Sequence, residues 1–199
     1  MILIRHGESV ANAQGLLLGR TDAELTERGM AQAAAVRQLL HAPVLTLRTS
    51  SLSRARDTAA LLGLDVPVEV DDRWIEVDYG EYECQPLRDV PADVWREWRR
   101  NPDFRPARGE TLVEVDARVA GACDELFATN DVGARSREGD VVVVSHVTPI
   151  KAAVAWALGM GAVLSWRLHL QTASVTRIGW GNGRPVLHGF NEVAPGRQE

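Results

Sequence analysis

Apolar residues along this chain alternate between short unbroken runs and repeats at helical spacing, and that alternation predicts the fold. Met1-Ile2-Leu3-Ile4 is a continuous apolar run that stops at Arg5, the pattern of a short buried strand. Leu25-Thr26-Glu27-Arg28 opens a helix with Thr26 as its N-cap, running to about His41. Val44 to Leu47 reads as a second strand. A helix from about Leu52 to Leu62 follows, with Leu52, Ala55, Ala59 and Leu62 on one face. A third strand is expected near Val66 to Val70, and Asp71 to Asp93 then has turn chemistry with little periodicity. Trp95 and Trp98 sit on a short helix, and Asn101 to Gly109 breaks the chain. Leu112, Val115, Val119, Ala122 and Leu126 then repeat at helical spacing.

The β-branched run Val141-Val142-Val143-Val144, ending at Ser145-His146, has the composition of a central strand covered on both faces, and a helix from about Pro149 to Leu158 follows it. Ala173 to Trp180 and Val186 to Phe190 flank Gly181-Asn182-Gly183, which reads as a hairpin turn. The alternation of strands and helices predicts an α/β fold. It would be a three-layer α/β/α sandwich with a mostly parallel central sheet and an antiparallel edge.

Length and charge narrow this picture. At 199 residues and 45% hydrophobic content, one domain spanning residues 1–199 is expected. The net charge of -5 argues against a nucleic-acid or membrane-surface partner, so any basic site must be local. Cys84 and Cys123 form neither a CxxC pair nor a disulfide framework and read as reduced thiols of a cytoplasmic protein. Met1 to Ile4 meets Arg5 at once, which does not resemble a leader, and the Ala/Val stretch after His146 is interrupted by Lys151, as suits a buried helix. No GxxxxGK, HExxH or GxSxG pattern occurs, so the sequence gives no signal for a nucleotide loop, a metallohydrolase or a serine hydrolase. It carries no signal for an oligomeric state.

Ligands of such sheets bind beyond the carboxyl ends of the strands, and both Arg5-His6 and Ser145-His146 lie at strand ends. In Arg5-His6-Gly7-Glu8-Ser9 a permanent cation and an imidazole stand beside a glycine that admits a ligand close to the backbone; a histidine that merely ends a strand is the plainer alternative. Ser50 to Ala59 passes from strand into helix and offers hydroxyls, backbone N–H groups and Arg54 to an anion, while Arg56 points about 200° away. For Arg54 alone a surface ion pair would serve as well. In Arg73 to Glu83, Glu76 sits among apolar and aromatic neighbours that could suit a general acid, whereas Glu81 and Glu83 look like exposed charges.

These four segments, in this order, resemble the histidine phosphatase superfamily, in the branch that includes cofactor-dependent phosphoglycerate mutases and α-ribazole phosphatases. The likeness rests on Leu3-Ile4-Arg5-His6-Gly7-Glu8-Ser9, on Ser50-Ser51-Leu52 with Arg54-Ala55 and Thr58-Ala59, and on Val144-Ser145-His146. It implies a phosphoglycerate mutase-like fold and a phosphate pocket of Arg5, His6, Arg54 and His146, with His6 as nucleophile. Asn12 and Ser9 would be further substrate-binding residues and Glu76 the proton donor. Another branch takes its acid from an Asp directly after the second histidine; Val147 stands there, which favours Glu76.

The implied reaction needs neither metal nor cofactor, because arginines neutralise the phosphate while a neutral His6, its other nitrogen bonded to a backbone carbonyl, attacks. The implied partner is a small phosphorylated metabolite. A protonated Glu76 would give an acidic to neutral optimum. The alternatives are phosphoglycerate mutase-type transfer, for which the chain leaves little room, and a phosphate-binding regulatory protein without turnover.

The chain departs from the family at Tyr82-Glu83-Cys84, where Trp-Glu-Gly is common, at Thr111, and after Phe190-Asn191. Specificity is expected from a cap region at about 77–111. There Trp95, Arg96, Trp98, Arg99, Arg100, Arg105 and Arg108 could grip a substrate, or could simply form an amphipathic helix with its tryptophans inward. The segment from Ser145 to Lys151 also resembles α-ribazole-phosphatase-like domains fused to ribonuclease H, which makes a cobalamin-pathway substrate one candidate.

Overall fold

The computed structural model describes residues 1–128 and 139–195. Six strands form one sheet in the order β3-β2-β4-β1-β5-β6, made of β1 Ile2–Arg5, β2 Val44–Thr49, β3 Val68–Val70, β4 Asp140–Ser145, β5 Val175–Gly181 and β6 Arg184–Glu192. β3, β2, β4 and β1 are mutually parallel, and β5 and β6 continue the sheet antiparallel. The helices are α1 Val10–Ala13, α2 Glu27–Ala35, α3 Ser53–Leu61, α4 Ala92–Arg100, α5 Leu112–Ala128 and α6 Val147–Leu158.

Side-chain alternation along the central strands separates two cores. Leu3, Val141 and Val143 pack against Val115, Val119 and Leu126 of α5 and against Ile150 and Ala153 of α6. Ile2, Ile4, Val142 and Val144 pack on the other face with Val36 and with Ala55, Ala59 and Leu62. The result is the expected three-layer sandwich, and the continuous Val run of β4 is explained because both faces are covered. A third cluster gathers Leu17, Val90, Trp98, Leu112 and Ala162. It includes the tryptophan helix α4, whose Arg96, Arg99 and Arg100 are exposed while Trp98 is buried.

Element boundaries differ from expectation where local patterns mislead. Thr26 caps α2 by accepting from the Gly29 N–H at 2.9 Å, but α-helix ends at Ala35 and a 3-10 turn, Val36–Leu39, completes the segment. The expected loop from Asp71 contains two such turns, Asp72–Trp74 and Gly80–Tyr82. The hairpin turn is Asn182-Gly183, both at positive φ (54° and 76°), which suits the twist of β5 and β6. The short helix α1 and the 3-10 turn Ala162–Arg167 carry too few residues for a periodic signal. Cys84 is exposed and Cys123 buried, each as a free thiol. Among the described residues no helix is long and apolar enough to cross a membrane.

Two glycines fix how the loop after β1 meets α2. A Cβ on Gly7 would lie 2.2 Å from the Gly29 carbonyl oxygen, and one on Gly29 would lie 2.0 Å from the Glu8 carbonyl oxygen. Alanine at Gly29 would raise helix propensity by about 1 kcal/mol, yet the clash is with backbone that cannot step aside. Gly29→Ala is therefore expected to destabilise the fold by about 1–3 kcal/mol, read as a drop of about 2–4 °C in Tm per kcal/mol. An unchanged or higher Tm would mean that this approach is slack.

Candidate active site

The sheet builds the site by aligning strand ends. Arg5 is level with Ser145 across β1 and β4, and Thr49 is level with Val144 across β2 and β4. The next residues, His6, His146 and Ser50, therefore emerge side by side at one edge of three parallel strands. The His6 N–H donates to the Ser145 carbonyl at 3.0 Å and the Ser50 N–H to the Val144 carbonyl at 3.3 Å, which extends the pairing to the site itself. The two imidazole rings lie 5.1 Å apart at 57°.

His6 is 3% exposed and its Nδ1 lies 2.7 Å from the Gly7 carbonyl oxygen. An oxygen there can only accept, so Nδ1 carries the proton and Nε2 keeps its lone pair. Burial, and then the charges of Arg54 and Arg5, hold the His6 pKa well below 6.5; the bond to Gly7 opposes them without winning. His146, buried, places Nε2 2.6 Å from the Ser50 hydroxyl. With that hydroxyl donating, the proton of the neutral ring sits on Nδ1, a buried atom with no partner among the described residues. Its pKa is also held well below 6.5, by burial first and then by Arg54, His6 and Arg5.

The arginines are fixed by backbone carbonyls. Arg5 donates to the Leu170 carbonyl at 2.6 Å, and burial pulls its guanidinium down to about 10. Arg54 is 1% exposed, which removes the surface ion-pair alternative, and it donates to the carbonyls of Thr21 at 2.9 Å and Gly19 at 2.6 Å. Arg56 is exposed. Among the described residues, the Nε atoms of both Arg5 and Arg54 are buried without a partner. Nδ1 of His146, whose ring lies beside that of His6, makes a third desolvated N–H group. Such groups are destabilising when unpaired and suit an anion rich in acceptor oxygens.

Glu76 is 4% exposed, but its surroundings are less apolar than its sequence neighbours imply. One oxygen accepts from the N–H groups of Val77 at 2.9 Å and Thr148 at 3.1 Å, and the other from Val147 at 3.1 Å. The carboxyl is thus held by the first turn of α6, where helix amides have no internal partner. Ser9 and Asn12 form a capping box on α1. The Asn12 N–H donates to the Ser9 hydroxyl and the Ser9 N–H to the Asn12 amide oxygen, each at 3.2 Å. Ser9 is wholly buried in that cap and does not line the cavity, a correction to its expected place as a substrate contact. Asn12 does line it.

A cavity of about 300 Å³ opens onto Arg5, His6, Asn12 and Glu76. Arg54 and His146 are buried and are not part of its wall. Several supporting residues escaped the sequence reading. The Thr58 hydroxyl accepts from the Gly7 N–H at 3.0 Å and donates to the Arg54 carbonyl at 2.7 Å, tying the two motifs together. Glu83, expected as an exposed charge, accepts from the N–H groups of Gly19 and Thr21, both at 2.8 Å, and so shapes the loop that holds Arg54. The variant stretch Tyr82-Glu83-Cys84 belongs to this brace, since the Cys84 N–H donates to the Leu17 carbonyl at 2.8 Å. Lys151 also lines the cavity; its three- and four-residue spacing from Thr148 and Val147 was the available signal. Among the described residues no cluster of three or more His, Cys, Asp or Glu could hold a metal ion.

Comparison with known proteins identifies a family. Residues 1–193 match the family model of the histidine phosphatase superfamily (branch 1). The chain is 35% identical to the Probable phosphoglycerate mutase GpmB of Cronobacter sakazakii over 88% of its length and 82% of the relative's. It is 31% identical to the adenosylcobalamin/alpha-ribazole phosphatase of Salmonella typhimurium, covering 99% of this chain and 98% of that one. Several mycobacterial relatives are longer, and the chain spans 49% of their length. A solved mycobacterial glucosyl-3-phosphoglycerate phosphatase, in complex with VO3, superimposes with a TM-score of 0.86 at 30% identity, over 96% of this chain and 98% of that one.

The lowered pKa values of His6 and His146 make stability fall in acid. Below about pH 6.5 the unfolded chain binds protons that the folded site refuses, so the unfolded state gains. Tm is expected to decline from about pH 7 to about pH 5, less steeply in His146→Gln, which removes one of the two groups. A parallel decline in the variant would mean that His146 is not desolvated as described.

Proposed function

Because the chain belongs to branch 1 of the histidine phosphatase superfamily, we propose that it hydrolyses small phosphate monoesters without a metal, through a phosphohistidine on His6. The observation that carries this is the His6 ring itself, with Nδ1 committed to the Gly7 carbonyl and Nε2 free to attack. The burial that lowers its pKa keeps it neutral at neutral pH, as a nucleophile must be. Phosphatases acting on several small phosphorylated metabolites stand among the relatives.

In the first step Nε2 forms a bond to phosphorus while the ester P–O bond breaks. The proton on Glu76 passes to the leaving oxygen, giving the free alcohol. Arg5, which lines the cavity, meets the charge spread over the phosphoryl oxygens, and Arg54 and the Nδ1–H of His146, buried behind that wall with no partner for Nε and Nδ1 among the described residues, would join it where the phosphoryl group reaches them. In the second step water attacks phosphorus, its proton goes to the Glu76 carboxylate, and the P–N bond electrons return to Nε2. The backbone N–H groups of Val77, Val147 and Thr148 hold Glu76 in place through both steps. Asn12 adds a side-chain amide to the cavity wall.

Residues 1–199 would act as one catalytic unit, with about 77–111 supplying specificity, since Tyr79, Trp95 and Trp98 of that stretch line the cavity. Mutase-type transfer has the named relative in its favour, but the largely apolar cavity wall gives little to hold a highly charged intermediate against water.

With chelator present, the protein should release phosphate from simple esters and His6→Ala should fall to background. Glu76→Gln should lose about 10²–10⁴-fold in kcat, with less effect on KM. The rate should decline, not rise, at strongly alkaline pH. Chelator-sensitive turnover, or full activity in His6→Ala, would overturn the mechanism.

A further inference from the structure

The cavity is chemically lopsided. Beside its few polar reacting groups, the wall is built from Leu16, Leu17 and Leu18 of the loop after α1, Trp95 and Trp98 of α4, and Trp166 of the 3-10 turn after α6. Trp95 and Trp166 meet at 6.1 Å and 83°, making a corner that offers a ring face on one side and a ring edge on the other. Trp98, almost wholly buried, backs Trp95 at 5.7 Å and is itself edged by Tyr79 at 5.5 Å. Such a corner suits a flat apolar group. It offers a polyhydroxylated one few partners, the other polar side chains of the wall being Asn12, Tyr79, Thr148, Ser165 and Lys151.

Lys151 is the second cation of that wall, beside Arg5. It stands one turn along α6 from Thr148, whose N–H holds Glu76, so it lies near the position where the leaving oxygen would take its proton. No carboxylate lies within ion-pair distance of it among the described residues. Burial lowers its pKa, with the charge of Glu76 opposing and that of Arg5 assisting. An unpaired ammonium on an apolar wall is stabilised by a ligand that brings an anion to it.

We infer that the preferred substrate is a phosphate monoester of a flat, apolar alcohol that carries one anionic group close to the ester oxygen. The ring lies in the Trp95–Trp166 corner and the anion meets Lys151. This rests on the phosphatase function proposed above and names the substrate class of that same site. The anion is a carboxylate or a second phosphate, since both give Lys151 the same contact.

The test compares kcat/KM for three esters that all release an alcohol, so that leaving-group chemistry does not set the order: glycerol 3-phosphate, benzyl phosphate and O-phosphomandelate. Benzyl phosphate should exceed glycerol 3-phosphate by about tenfold or more, from burial of the ring, and phosphomandelate should exceed benzyl phosphate by about tenfold, from the charge-assisted contact. Trp166→Ala should shrink the first ratio and Lys151→Met the second, each towards one. Ratios taken within one variant do not depend on how much of it is folded. Equal losses on both aromatic esters in Lys151→Met would assign Lys151 to the transferred phosphoryl group and overturn the anion contact. Glycerol 3-phosphate matching benzyl phosphate would overturn the apolar assignment while leaving the phosphatase in place. Release from none of the three would remove the phosphatase and this inference together.

Discussion

The site depends on the burial of two permanent cations beside two imidazoles. Taking Arg5 and Arg54 out of water is unfavourable, and the carbonyls of Leu170, Gly19 and Thr21 offset it only in part, since both Nε atoms stay unpaired. That imbalance is useful chemically. Burial of the imidazoles first, and then these charges, holds the pKa values of His6 and His146 well below 6.5, and several N–H donors stand without a partner among the described residues. In the proposed reaction a phosphoryl dianion would supply the acceptors that the fold withholds, with little rearrangement of dipoles.

Much of the surrounding structure holds those cations in place. Thr58 links the turn after β1 to the Arg54 carbonyl, the close approach of Gly7 to Gly29 sets that turn against α2, and Glu83 braces the loop whose carbonyls receive Arg54. Helix α6 serves the other side. His146 precedes it, its first amides hold Glu76, and Lys151 projects from its next turn into the cavity. One helix start thus sets the spacing between the His146 imidazole, the proposed acid and the Lys151 ammonium, which is more rigid than placing each on its own loop.

The two ideas about the tryptophan helix turn out to be compatible. Its arginines are solvated and Trp98 is core, as an amphipathic helix requires, yet the same inward face of Trp95 and Trp98 lines the cavity. One apolar surface of α4 thus serves both core packing and the cavity wall.

The sequence by itself determined the layers of the fold. The Val run of β4, the spacing of Leu112 to Leu126 and the strand-helix alternation are local patterns, and burial on one or two faces follows from them directly. It also marked His6 and His146 as strand-end residues and Arg54 as a partner, because a rim position follows from where an apolar run stops. Tertiary structure alone decided the rest. That β1, β4 and β2 lie adjacent, bringing Ser50 to His146 across 96 positions, depends on strand order. Glu83 reads as a surface charge until the loop carrying Gly19 and Thr21 folds onto it. Periodicity reports only which way a side chain faces, whereas a hydrogen bond between remote segments depends on the path of the whole chain, and no local pattern encodes that.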